Sequence, residues 1–182
     1  MSFVNKNIVI VGASKGLGRM LAEKFIISKA NVALIARDKK KLLEIKKKSK
    51  FKKKILIYSN DLFKDKIIKK TCNDIKKNFK TIDTIIHCLG GSFGVVKPIS
   101  TWDDYCKSIK GNLGIAIDFN YYFLDLMIGK KRGNIIHIGS IAGQEAQDIG
   151  FPPYTVAKST ISSYTRSMGN YLAKSNIIMS SI

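Results

Sequence analysis

The chain has 182 residues, with 32 Lys and Arg against 13 Asp and Glu and a formal charge of +19. A chain of that length favours one domain and buries roughly 70% of the surface it exposes when unfolded, so a core forms without staples. Cys72, Cys88 and Cys106 are odd in number and far apart, which excludes a disulfide framework or zinc site and points to reduced thiols in the cytoplasm.

Much of the charge lies between Lys39 and Lys54, where ten lysines face one acid, Glu44. That stretch has no arginine and one aromatic, Phe51. It reads as a solvated face that raises nonspecific affinity for polyanions, not as a specific nucleic-acid site. Met1–Lys6 lacks the form of a signal peptide, and no apolar run reaches the length of a membrane span. Residues 1–182 therefore read as one soluble, cytoplasmic domain.

In chain order, Ile8–Val11 is a strand, followed by a helix from Gly16 to Lys29 with Leu17, Met20, Leu21 and Phe25 on one face. Asn31–Ala36 is the second strand, and a lysine-rich helix with apolar Leu42, Leu43 and Ile45 follows. Ile55–Tyr58 is the third strand, and Phe63–Phe79 is a helix on the spacing of Ile67, Ile68, Cys72 and Ile75. Ile82–Cys88 is the fourth strand, followed by a glycine-rich loop. A long helix then runs from Trp102 to Met127, with Gly111 and Gly114 as close-packing points. Ile135–Ile138 is the fifth strand, Pro152–Lys174 a helix opened by two prolines, and Ile177–Met179 begins a sixth strand. Alternation of apolar strands with helices implies a doubly wound α/β fold with a parallel sheet of about six strands, similar to a Rossmann fold.

Gly12-Ala13-Ser14-Lys15-Gly16-Leu17-Gly18 stands between a strand and a helix. Glycines there let the backbone approach a pyrophosphate, and the helix start offers free N–H groups and a positive dipole end. Arg37, after the second strand, can pair with a ribose 2′-phosphate, and Lys15 and Lys39 add charge. Asp38 is a rival signal that could contact the ribose. On balance NADP(H) is expected, with NAD(H) possible. Asp61 follows the third strand and could bond an adenine edge or cap a helix.

Tyr154 and Lys158 are spaced i, i+4, which places them on one helix face, and Ser140 stands just past the fifth strand. A free phenol titrates near pH 10, so proton transfer at neutral pH takes about 4 kcal/mol of differential interaction. A neighbouring ammonium and a cationic nicotinamide can supply much of it. A hydroxyl at the carboxyl edge of the sheet can bond a substrate oxygen.

Taken together, these motifs resemble the short-chain dehydrogenase/reductase family from Ile8 to the end of the chain. The Gly-x-x-x-Gly-x-Gly loop matches Gly12, Gly16 and Gly18, and the catalytic serine, tyrosine and lysine match Ser140, Tyr154 and Lys158. The family's catalytic asparagine matches Asn112 in Lys110-Gly111-Asn112-Leu113-Gly114. The resemblance implies hydride transfer between nicotinamide and a carbonyl or alcohol carbon. Tyr154 would act as acid and base, Ser140 would polarise the substrate oxygen, and Lys158 would also grip the nicotinamide ribose. Asn112 would help hold a relaying water. It further implies a homo-oligomer built on the two long helices.

Three departures stand out. Val11 replaces the usual threonine. His87-Cys88-Leu89-Gly90 replaces Asn-Asn-Ala-Gly, so Leu89 and Gly90 border the cofactor and His87 reads as a strand-end packing residue. The family's substrate-lid segment, which follows the sixth strand, is missing from 182 residues. The expected activity is therefore that of an oxidoreductase, and the alternative is an inactive nucleotide-binding module. Ser92–Lys97 and Gly143–Phe151 supply only fragments of a pocket wall, so the substrate is left open.

Overall fold

The computed structural model describes residues 2–145 and 151–182. Six parallel strands form one sheet in the order β3-β2-β1-β4-β5-β6. They are β1 (Asn7–Val11), β2 (Asn31–Ala36), β3 (Ile55–Ser59), β4 (Thr84–His87), β5 (Gly133–His137) and β6 (Ile177–Ser181). The helices are α1 (Gly16–Ile27), α2 (Lys39–Lys48), α3 (Ile67–Asn78), α4 (Trp102–Ile109), α5 (Ile115–Lys130) and α6 (Pro152–Ala173). This is the expected Rossmann-like α/β fold. None of the described helices is long and apolar enough to cross a membrane.

Alternate residues of each strand serve opposite faces. Ile8, Ile10, Val32, Leu34 and Ile86 pack with Ala22 and Ile26 of α1 and with Leu42 and Ile45 of α2. Val9, Val11, Ile85 and Ile135 pack on the other side with Ile68, Cys72 and Ile75 of α3 and with Phe119, Phe123 and Met127 of α5. Both faces are therefore dry, as near-continuous apolar strands require.

Several local expectations need correction. The buried side of α1 is Gly18, Ala22 and Ile26, whereas Leu17 and Met20 are exposed. At Gly18 only glycine fits, because a side chain there would collide with the Gly12 carbonyl. In α2, Leu42 and Ile45 are buried but Leu43 is exposed. The third helix begins at Ile67 rather than Phe63, because Lys66 takes a left-handed φ of 61° and breaks the run. Asp61 consequently does not cap α3; its Oδ1 accepts the Phe63 N–H at 3.2 Å within the preceding turn.

The long helix expected from Trp102 to Met127 continues to Lys130 and is interrupted by a π-turn at Lys110–Gly114. Its start is fixed by a capping box, in which Thr101 and Asp104 exchange side-chain bonds to each other's amides. Gly111 is a close-packing point, since a side chain there would overlap the Phe93 ring. Gly114 is not one; only Lys110 atoms at 3.8 Å and the Ile109 carbonyl at 3.9 Å approach it.

Candidate active site

The chain crosses from one side of β1 to the other between β3 and β4, so a crevice opens at the carboxyl ends of β1 and β4. A cavity of about 440 Å³ fills it. From β1 and α1 come Gly12, Ser14, Lys15, Gly16, Leu17 and Gly18; from β2 and α2 come Arg37, Asp38 and Lys41. The turn after β3 adds Asn60, Asp61, Leu62 and Phe63, and the loop after β4 adds Cys88, Leu89, Gly90 and Phe93.

The glycine turn is shaped by its neighbours. Gly12 has φ 90°, and a side chain there would stand 2.6 Å from the Leu89 nitrogen. Gly16 has φ 52° with nothing within 4 Å, so that side of the turn is open. Lys15 precedes α1 without a side-chain cap, and no acid lies in the first turn. The first N–H groups of α1 thus have no side-chain acceptor at a cavity wall, an arrangement suited to an anion.

Asp38 lines the cavity and also holds a helix start. It caps α2, accepting the Lys41 N–H at 3.0 Å, with Lys41 Nζ at 3.6 Å. The amide of Lys41 and then its ammonium outweigh the small cost of burial, so the carboxyl stays below its usual range. Arg37 is exposed and holds the Ser59 hydroxyl with its backbone carbonyl at 3.0 Å. Lys41 lines the cavity and Lys39 does not.

Ser140, Asn112, Tyr154 and Lys158 lie outside the cavity lining, beyond Ile138 and Gly90. Tyr154 is in the first turn of α6, and Lys158 follows one turn later with its Nζ 5.7 Å from the Tyr154 ring centroid. Lys158 is buried, 4% exposed, and Nζ donates to the Ile138 carbonyl at 2.7 Å. Burial holds its ammonium below its usual value. Ser140 is half-buried at the start of a short 3₁₀ turn, and its Oγ accepts the Ala142 N–H at 3.3 Å.

Two further glycines bring these elements together: Gly143, and Gly90, which the sequence placed beside the cofactor. A side chain on Gly143 would stand 2.7 Å from the Lys158 carbonyl carbon, so the loop after β5 lies directly on α6. A side chain on Gly90 would stand 3.0 Å from Asn112 Oδ1 and 3.1 Å from Lys158 Nζ. Asn112 sits inside the π-turn, 3% exposed, and bonds Gly91 and the Ser108 carbonyl. Of the loop Gly143–Phe151, positions 146–150 lie outside the described residues.

His87 is packed beneath the site. In register with His137 on the next strand, its ring stacks on that imidazole at 4.7 Å, and its Nε2 meets Asn120 Oδ1 at 2.8 Å. Burial pushes its pKa down to about 4, against the opposing bond to Asn120. Its role here is packing at the strand end, as the sequence suggested.

Known proteins resemble this chain along its length. The profile of the short chain dehydrogenase family covers residues 6–182. The chain belongs to that family. The NADP-dependent 3-hydroxy acid dehydrogenase of Schizosaccharomyces pombe is 30% identical over 167 residues, 90% of this chain and 64% of that protein. Carbonyl reductase family member 4 of Xenopus laevis is 27% identical over 96% of this chain and 72% of its own. A Caenorhabditis elegans short-chain dehydrogenase/reductase of unknown function, solved with cofactor, superposes with a TM-score of 0.87 at 30% identity. It is covered to 70% by the whole of this chain. The chain therefore spans about two thirds of the length of these relatives. The short-chain dehydrogenases are oxidoreductases that use a nicotinamide dinucleotide.

Proposed function

We propose that this short-chain dehydrogenase transfers hydride between NADP(H) and a carbonyl or alcohol carbon, with Tyr154 giving and taking the proton on oxygen. The observation that carries the reading is the meeting at Gly90, where the cavity wall touches both Lys158 Nζ and Asn112 Oδ1. A proton-handling cluster thereby adjoins a cavity suited to a dinucleotide.

The residues fit such a cofactor. Gly12 leaves no room for a side chain against Leu89, and the open start of α1 faces the cavity through Ser14, Lys15, Gly16, Leu17 and Gly18. These positions would hold the pyrophosphate, with Asp61 toward the adenine and Leu89 and Gly90 along the ribose. The nicotinamide, when bound, supplies the hydride donor or acceptor. Lys158 would hold the ribose hydroxyls and lend positive charge beside Tyr154. Ser140 would orient the substrate oxygen, and Asn112 would hold one end of a water chain leading from Lys158.

The 2′-phosphate form is favoured because three cations, Lys15, Arg37 and Lys41, line the cavity, and Asp38 on the same wall already accepts the Lys41 N–H. The fission-yeast relative carries an NADP-dependent name, which agrees. Exposed Trp102 and Tyr121, 73% and 74% accessible, support self-association through the α4–α5 face. Free Cys72, Cys88 and Cys106 agree with a cytoplasmic setting.

The test is direct. NADPH should raise the melting temperature, and Tyr154→Phe should keep that shift while abolishing turnover across a panel of carbonyl substrates. Equal, zero turnover in both proteins would make the chain an inactive nucleotide-binding module instead.

A further inference from the structure

Phe63 and Phe93 come from different loops, yet their rings meet edge to face at 5.3 Å on the cavity wall. Both are half-buried, so each offers part of its surface to the cavity. Three successive residues of the π-turn hold this wall. Lys110 Nζ lies 5.8 Å from the Phe63 ring centroid and donates to the Phe63 carbonyl at 3.3 Å. Gly111 leaves the notch in which the Phe93 ring sits. Asn112 fixes Gly91 just before it, through bonds of 3.0 and 2.9 Å.

Phe93 is also held at φ 52°, an uncommon conformation for a bulky residue, which marks a ring whose place is set by its surroundings. A rigid aromatic face on a polar cavity suits a flat, weakly hydrated ring.

We infer that Phe63 and Phe93 are the surface on which the purine of the dinucleotide packs, and that the π-turn at Lys110–Asn112 is the element that positions them. This rests on the dinucleotide reading of the cavity. It adds a binding role for two residues that no motif marks. It also gives Gly111 a positioning role: a side chain there displaces Phe93 without itself meeting the ligand.

The test uses fluorescence titration with NADPH, with inorganic pyrophosphate as a purine-free competitor. Phe93→Leu, Phe63→Leu and Gly111→Ala should each weaken NADPH about tenfold, with pyrophosphate binding unchanged. Phe93→Leu keeps an apolar side chain over Gly111, so it reports on the ring even if Gly111→Ala does not fold. Unchanged NADPH affinity in both leucine variants overturns the inference, as does equal weakening of NADPH and pyrophosphate. A wild-type protein that binds neither NADPH nor NADH removes the dinucleotide reading, and this inference with it.

Discussion

Asn112 grips Gly91 at both of its backbone groups: Oδ1 accepts the Gly91 N–H at 3.0 Å and Nδ2 donates to the Gly91 carbonyl at 2.9 Å. The second Nδ2 hydrogen goes to the Ser108 carbonyl, four residues back, at 2.9 Å. One buried amide therefore ties the loop after β4 to the interruption between α4 and α5. Asn112→Ala should cost about 2–3 kcal/mol, because several buried backbone groups lose their partner at once. Urea unfolding would measure it, and a loss below a few tenths of a kcal/mol would mean that the loop holds itself.

Cofactor choice can be tested at charges that the fold separates. Arg37→Glu should weaken NADPH by roughly 10–100-fold, the scale of a lost charge-assisted bond plus repulsion, and leave NADH little changed. Lys41→Ala should have a smaller effect of the same sign, since Lys41 lines the cavity. Lys39→Ala should have none. Equal affinities for both cofactors in wild type and Arg37→Glu would remove Arg37 from the site.

Stability should fall on mild acidification. Burial is the main cause of the low pKa of about 4 at His87, and it also holds His137 well below its usual value, with His87 and Lys158 adding repulsion. The unfolded chain takes up protons near pH 6.5, so stability is full above that value and drains away as pH falls toward 4. His87 alone should contribute a loss on the order of 3 kcal/mol across that window. His87→Asn should flatten the dependence of the urea midpoint between pH 7 and pH 5. A wild-type midpoint that does not move over that range would contradict it.

At the opposite end of the strands, Asp83 accepts the Asn7 N–H at 2.9 Å and lies 2.9 Å from Lys130 Nζ and 3.5 Å from Lys6 Nζ. Burial pushes its carboxyl up, but Lys130, the Asn7 amide and Lys6 outweigh that and hold it below the usual value. Its contribution is therefore present above about pH 4 and lost as pH falls through the lowered folded value. Asp83→Asn should cost about 1–2 kcal/mol at neutral pH and leave NADPH affinity intact. A change in affinity would show that this end of the sheet communicates with the cavity.

The six strands were legible because each is a short apolar run, as burial on both faces requires, and the glycine turn was legible from its place after β1. Helix faces were less so. Leu17 and Met20 satisfy helical spacing yet are exposed, since α1 turns Gly18, Ala22 and Ile26 to the sheet and approaches Gly12 through Gly18. The start of α3 was misjudged because the break at Lys66 involves neither glycine nor proline. Lys41 was missed in favour of Lys39, a choice fixed by how α2 is rotated on the sheet. Phe93 fell within the Ser92–Lys97 stretch read as a fragment of pocket wall, but its seat against Gly111, eighteen positions later, depends on the fold.

By itself, the sequence determined the alternation of strand and helix, the glycine turn after β1 and the i, i+4 spacing of Tyr154 and Lys158 on one helix, because each depends on neighbours a few residues apart. Only the tertiary structure decided that Gly90, Asn112, Ile138 and Lys158 meet and that two phenylalanines share a wall. Those contacts join segments tens of residues apart. They exist only once the strand order and the rotation of each helix are set by packing of the whole core.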